Sequence, residues 1–326
     1  MDLQAIDIAK VDGAPKLWQE IVDASSDGWL WHTWLSHEFN LCAGEKYAAK
    51  DLSFFVYDRG RAVGVVPLII EEREGTLQAA YYSGFLPWPC FRKDVQNREA
   101  LEDFACTELE QRARKAGAES IFVFFAPPQN TSNEESRVRR IAFRNGYETI
   151  ISEHHFTEVM PQLLVRVCSR YDYKRFSPFF ELSVAEGACI SLELEEKYFA
   201  LHVSDAGGQF RSRESYGKQT DSAREGEGFY VVARHKKTGA IAGMALINVY
   251  KGTAYYGSVA VAPEMSKSCI GYQLQCRAVE ELLARGIRYY DLGPVFTSER
   301  EKGISLFKSK ISGTGSRLVY LIRKSL

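Results

Sequence analysis

Two stretches of the chain spell nearly the same local order 179 positions apart: Gly60-Arg61-Ala62-Val63-Gly64 and Gly239-Ala240-Ile241-Ala242-Gly243. The surroundings repeat as well. In the first copy, Leu52 to Tyr57 reads as a strand, Asp58 to Arg61 as a turn and Ala62 to Ile70 as the return strand of a hairpin. Leu77 to Phe85 is a third strand. Arg98 to Ala116 carries Leu101, Phe104, Ala105, Leu109 and Ala113 on one helical face, Gly117 ends it, and Ile121 to Phe125 is a buried strand. In the second copy the strands are Gly228 to Ala233, Ala240 to Val249 and Ala254 to Val261. The helix Ile270 to Ala284, ended by Gly286, and the strand Ile287 to Leu292 follow. Five elements in one order constrain the chain to two α/β units with hairpin-fed sheets.

The boundary is expected near Met160-Pro161, giving units over 1–160 and 161–326. The first opens with helices at Leu17 to Ala24 and Trp31 to Cys42. The second has a helix at Leu194 to Ala206, then a polar stretch from Gly207 to Glu227 that reads as a mobile exposed loop. Hydrophobic residues at 45% and a net charge of −1 suit a globular protein with no whole-chain field for nucleic acid or membrane. No apolar run reaches the roughly 18 residues of a spanning helix. Seven cysteines without a CxxC pair predict reduced thiols and a cytoplasmic protein, with neither a disulfide framework nor a zinc site. His154-His155 points to opposite faces of a strand and lacks a nearby third ligand, so no metal is expected.

Hairpin, strand, helix, strand and a further helix ending at glycine resemble the GNAT acyltransferase fold, here as two units in tandem, each a mixed twisted sheet flanked by helices. Val259 to Glu264, leading into Ile270-Gly271, is similar to the GNAT acyl-CoA motif, with Ser266 where Arg is usual and Cys269 where the first Gly is usual. The stretch Tyr290-Asp291-Leu292-Gly293, then Gly303 to Gly313 with Phe307-Lys308 inside it, resembles the C-terminal signature of the Fem family. Those tandem GNAT enzymes move amino acids from aminoacyl-tRNA onto cell-wall precursor peptides. Relatives act in polysaccharide synthesis.

The resemblance implies an acyltransferase acting on an amine acceptor, with acyl-CoA or aminoacyl-tRNA as co-substrate and no tightly bound cofactor. It also implies a small-molecule or nucleotide-linked acceptor and contact with a tRNA acceptor end. A kept fold without catalysis, serving as a binding or scaffolding protein, is the alternative.

Amine attack on an ester or thioester needs proton removal, a stabilised oxyanion and two substrates held together. In the resemblance, the strand ending at Val261 and the strand Ile287 to Leu292 splay apart to seat the donor. A free N–H near Val261 would then face the oxyanion, with Tyr256 on the same strand. Lys308 is the first catalytic candidate, as a cation beside the intermediate. Asp291 either orients the amine or caps the following loop. Phe307 packs the donor or fills core. Lys267 and Gly271 are candidates to hold the donor's phosphates, and Arg211 and Tyr216 to hold an anionic acceptor. Phe143-Arg144 occupies the matching place in the first unit, with no other motif around it.

Overall fold

The computed structural model describes residues 1–125, 134–169, 175, 177–298 and 301–326. Contacts divide it into two compact units, Met1–Ser152 with Leu318–Leu326, and Glu153–Arg317. This differs from the boundary expected at 160. The strand Glu148–Glu158 straddles the junction, and the last strand pairs antiparallel with Ser120–Phe124 of the first unit, Leu321 opposite Phe124. Backbone pairing, not proximity in sequence, decides where the terminal residues belong.

Unit 1 runs β1 (Leu3–Asp7), α1 (Ala14–Asp23), α2 (Trp34–Ala43), β2 (Lys50–Asp51), β3 (Phe54–Asp58), β4 (Arg61–Val66), β5 (Ile69–Arg73) and β6 (Thr76–Ala79). It continues with β7 (Leu86–Pro87), β8 (Cys90–Phe91), α3 (Arg98–Lys115), β9 (Ser120–Phe124), α4 (Glu134–Asn145) and β10 (Glu148–Glu158). The return strand expected over Ala62 to Ile70 is two strands. Pro67 lies in the break and offers no N–H to a ladder, so β4 pairs into β1-β3-β4-β8 while β5 joins β2, β6 and β9. Phe54, Val66, Leu101, Leu109 and Val123 are buried in this unit's core.

Unit 2 holds α5 (Pro161–Cys168), β11 (Phe180–Ala185), α6 (Leu192–Ala206), α7 (Arg213–Arg224), β12 (Gly228–His235), β13 (Ile241–Tyr250) and β14 (Thr253–Val261). After these come α8 (Ile270–Ala284), β15 (Tyr289–Pro294) and α9 (Lys302–Ser312). The last strand, β16 (Ser316–Ser325), returns to unit 1. The unit's strands lie in the order β11-β12-β13-β14-β15-β10, and within it only β14 and β15 are parallel neighbours. Helix α8 packs Leu274, Ala278 and Leu282 against Val231, Ala245 and Ile247.

The repeat is visible in the hairpins themselves. In unit 1 Val56 faces Gly64 and the next pair is Tyr57 with Ala62; in unit 2 Ala233 faces Gly243 and the next pair is Arg234 with Ile241. Each return strand therefore bulges one residue before the repeated glycine.

The stretch expected to be a mobile loop, 207–227, is mostly helix α7. Ser212 caps it by accepting the Ser215 N–H at 3.3 Å. Arg213 and Arg224 both reach the buried Glu195 carboxylate of α6, at 2.8 and 2.7 Å. Its polar composition hides the fact that Tyr216 and Thr220 are fully buried. A second correction concerns the cysteines. Cys168 ends α5, Cys276 lies in α8, and the two form a disulfide with Cα atoms 5.8 Å apart. Helix packing between distant segments created that pair, so spacing in the sequence did not reveal it.

Candidate active site

Strands β14 and β15 pair in parallel for three positions only: Thr253 with Tyr289, Ala254 with Tyr290 and Tyr255 with Asp291. Beyond that point β14 stays with β13, its Val261 opposite Gly243, while β15 pairs with β10, its Pro294 opposite His154. The two strands separate, and the opening expected from the sequence lies here, within unit 2. A bulge helps to turn β14: Leu246 faces Ser258 and Ile247 faces Tyr256, leaving Gly257 as the extra residue. A side chain at Gly257 would collide with the Asn248 amide.

Lys308 lies at the start of this opening. Its Nζ and the Tyr255 hydroxyl converge over Gly293, where a Cβ would stand 3.2 Å from Nζ and 3.3 Å from the hydroxyl. Gly293 has φ +84°, a second reason for glycine there. Lys308 is only 8% exposed. Burial pulls its pKa down to about 8, against the opposing charges of Asp291 and Glu301. Near neutral pH it is a cation that gives up its proton more readily than an ordinary lysine. Its Nζ is also 5.1 Å from the centre of the Phe296 ring.

Asp291 is buried beneath this point. Its carboxylate accepts the Gly293 N–H at 2.7 Å and faces His154 Nδ1 at 3.1 and 3.2 Å. It thus fixes the turn at Gly293 and supplies negative charge to Lys308. Burial, then the charge of Asp291, raises the Tyr255 pKa, so the phenol keeps its proton. His155 is also buried, with Nε2 unpartnered and Nδ1 3.5 Å from Ser312 Oγ. Burial and the Lys308 charge lower its pKa, so it is neutral.

The other sequence candidates are dispersed. Tyr256, one residue from Tyr255 and so on the opposite face of the strand, meets Gln275 of α8, which also accepts the Tyr290 hydroxyl at 3.0 Å. Phe307 stands over Gly271, whose Cβ would be 3.3 Å from the ring, and packs 5.0 Å from Tyr272. Gly271 therefore makes room for Phe307. Lys267 sits in a short 3-10 helix, Pro263–Ser268, and its side chain lies outside what the structure describes.

Two expectations are corrected here. The Val261 N–H, expected to be free, donates to Asp205 Oδ2 at 3.1 Å. Tyr216 is fully buried, bonded to His202 Nδ1 at 3.0 Å and covered by the Arg211 guanidinium 4.0 Å from its ring centre. It belongs to a tyrosine cluster with Tyr198 and Tyr230, out of reach of an acceptor. Partial burial and the neighbouring Arg211 charge pull the pKa of half-buried His202 down to about 4. The sequence reading gave no site role to Tyr255, to Gly293 inside the Tyr-Asp-Leu-Gly motif, or to His154 and His155, which it weighed only as metal ligands. Their one signal was position: Tyr255 and the two histidines lie on the strands paired with the one that carries that motif.

Among the described residues, the cluster spaced to hold a metal is Cys168, Cys276 and Glu280, and the two sulfurs in it are bonded to each other. No described helix is long and apolar enough to cross a membrane.

Comparison with known proteins fits this geometry. Residues 208–303 match the acetyltransferase (GNAT) domain family. No curated protein matches the sequence. The structure of FemX aligns over 100% of this chain and 98% of its own, at 12% identity and a TM-score of 0.68. A tandem GNAT protein from the clavulanic acid biosynthesis pathway aligns over 99% of this chain and 98% of its own, at 14% identity and a TM-score of 0.57. The C-terminal domain of a putative lysylphosphatidylglycerol synthetase from Agrobacterium fabrum aligns over 96% and 92%, at 12% identity and a TM-score of 0.63. The chain therefore has the tandem GNAT fold, and residues 208–303 of its second unit carry the GNAT acetyltransferase domain.

Proposed function

We propose that the chain is an acyltransferase that moves an acyl or aminoacyl group to an amine acceptor in cell-wall or polysaccharide precursor metabolism in the cytoplasm. One observation carries the reading: a buried lysine and a protonated tyrosine converge on one point at the mouth of the β14–β15 opening. The donor is an acyl-CoA or an aminoacyl-tRNA. The acceptor is a small molecule or a nucleotide-linked precursor.

In this reading the acceptor amine attacks the donor carbonyl in the opening. The Lys308 ammonium and the Tyr255 O–H stabilise the charge that develops on oxygen. As the tetrahedral intermediate collapses, Lys308 donates a proton to the leaving thiolate or alkoxide, which its lowered pKa favours, and recovers one from the attacking amine. Asp291 acts from below, holding Gly293 and Lys308 in place. Phe307, packed over Gly271, borders the donor; Tyr256 acts from the other face of the strand through Gln275, and Lys267 and Gly271 are the candidates for holding the donor's phosphates. Val261 and Arg211 complete the candidate binding surface; buried Tyr216 supports Arg211 from behind.

A binding protein without catalysis is the second reading, favoured by the Asp205 carboxylate bonded to the Val261 N–H. Transfer of label from acyl-CoA and aminoacyl-tRNA pools to UDP-linked amine acceptors separates the two. Transfer abolished by Lys308→Ala supports catalysis. Binding of either donor without any transfer supports the second reading.

A further inference from the structure

Helix α5 is fastened to both α9 and α8. Arg166 Nη1 donates to the carbonyls of Ser312 at 2.8 Å and Ile311 at 3.3 Å, in the last turn of α9. Those carbonyls have no partner inside their own helix, and a cation there also suits the helix dipole. Gly313 ends α9 with φ +68°, and a Cβ on it would stand 2.6 Å from Arg166 Nη1. The guanidinium thus occupies a seat that only glycine leaves open. Two residues after Arg166, Cys168 is bonded to Cys276 of α8. On the same helix, Leu163 and Val167 are buried in the same core as Ile311. Lys308 is one turn before Ser312 on α9, and His155 approaches Ser312 from β10.

We propose that Arg166 is a positioning residue for Lys308, and that the Cys168–Cys276 disulfide holds it in place by tying α5 to α8. The proposal rests on the reading of Lys308 as the reacting group. Lys308 Nζ reaches the point over Gly293 only if α9 keeps its axial position, and misplacement by about 1 Å costs on the order of 10² in rate. The charged and titratable groups that face Lys308 are Asp291 of β15, Tyr255 of β14, His155 of β10 and Glu301 at the start of α9. None is on α5. A change in α5 that leaves charge intact therefore alters the Lys308 titration only by moving α9.

Dithiothreitol makes such a change. Its two thiols give two electrons and two protons to the Cys168–Cys276 bond, yielding two cysteine thiols and the cyclic disulfide of the reagent.

The test reads Lys308 directly and needs no substrate. Lysines are reductively methylated with 13C-formaldehyde and titrated by NMR, with Lys308→Arg identifying the Lys308 signal. The untreated protein should show Lys308 titrating near 8. Arg166→Lys, which keeps the charge but not the guanidinium that fills the seat beside Gly313, and dithiothreitol on the unmutated chain, should each move that titration upward by about one pH unit as Nζ gains water. If melting temperatures fall while Lys308 titrates as before, α5 is structural only and the proposal is overturned. A shift with Arg166→Lys but none with dithiothreitol overturns the role of the disulfide. Absence of acyl transfer would sink the proposed function and leave this titration result standing.

Discussion

The backbone N–H of Val261 donates to a carboxylate oxygen of Asp205, 3.1 Å away on the last turn of α6. Past Tyr255, β14 has lost β15 as a neighbour, so this edge is where an extended, amide-bearing donor would add backbone hydrogen bonds. Asp205 competes for that position. Partial desolvation of this otherwise exposed carboxyl raises its pKa, and the Val261 N–H offsets part of that cost. Asp205→Ala should therefore tighten acetyl-CoA binding roughly tenfold in calorimetry. Weaker binding would show that the carboxylate helps to hold the donor, and unchanged binding that it does not obstruct it.

Lys308→Ala should lower turnover by about 10²–10³, the usual cost of losing a group that stabilises developing charge. The pH dependence has a definite sign. The folded-state pKa of about 8 lies below the ordinary 10.5. Below pH 8 both states are protonated and the folded state bears the full burial cost. Between 8 and 10.5 the unfolded chain binds more protons, so stability rises with pH. Lys308→Met should accordingly stabilise the protein at pH 7 by on the order of 2–3 kcal/mol, a gain that vanishes near pH 10.5 in denaturant titrations. The kcat of the unmutated enzyme should fall as pH rises through about 8, where the ammonium is lost.

Gly293→Ala inserts a methyl group between Lys308 Nζ and the Tyr255 hydroxyl, and places alanine at a positive φ. The backbone cost alone is about 1–2 kcal/mol. A stability loss of that size with a turnover loss of at least tenfold is expected. An active Gly293→Ala enzyme with native kcat would refute convergence of the two groups as the source of catalysis.

Arg144→Ala provides the control in unit 1. Arg144 pairs with Glu99 and Asp103, and its neighbour Phe143 is 90% exposed. With its cation committed to surface ion pairs, its removal should leave turnover within twofold of the unmutated enzyme in the same transfer assay.

The duplicated hairpin was readable because Gly64 and Gly243 sit at the same bulge, where backbone geometry demands little side chain in both copies. The first and last residues of α8 were readable too, since apolar periodicity and Gly286 mark them. Helix α7 was not: beyond a local serine cap, what holds it is the ion pairs to Glu195, which only exist once α6 is beside it. The candidate site was half legible. Lys308 stood out through its motif, but Tyr255 and Tyr256 are indistinguishable until strand pairing assigns each a face. The Cys168–Cys276 bond depends on two helices meeting, which no local spacing encodes.

Strand β16 carries a consequence for how the protein is made. Its pairing with β9 joins residues translated before and after the whole of unit 2, Ile322 with Val123 among them. A nascent chain therefore holds an open strand edge at β9 while everything from α5 to α9 is being synthesised. Such an edge invites pairing with other chains until its proper neighbour emerges. The N-terminal unit is begun first and finished last, so a chain cut before Leu318 should fail in unit 1, the part of the molecule farthest in sequence from the cut.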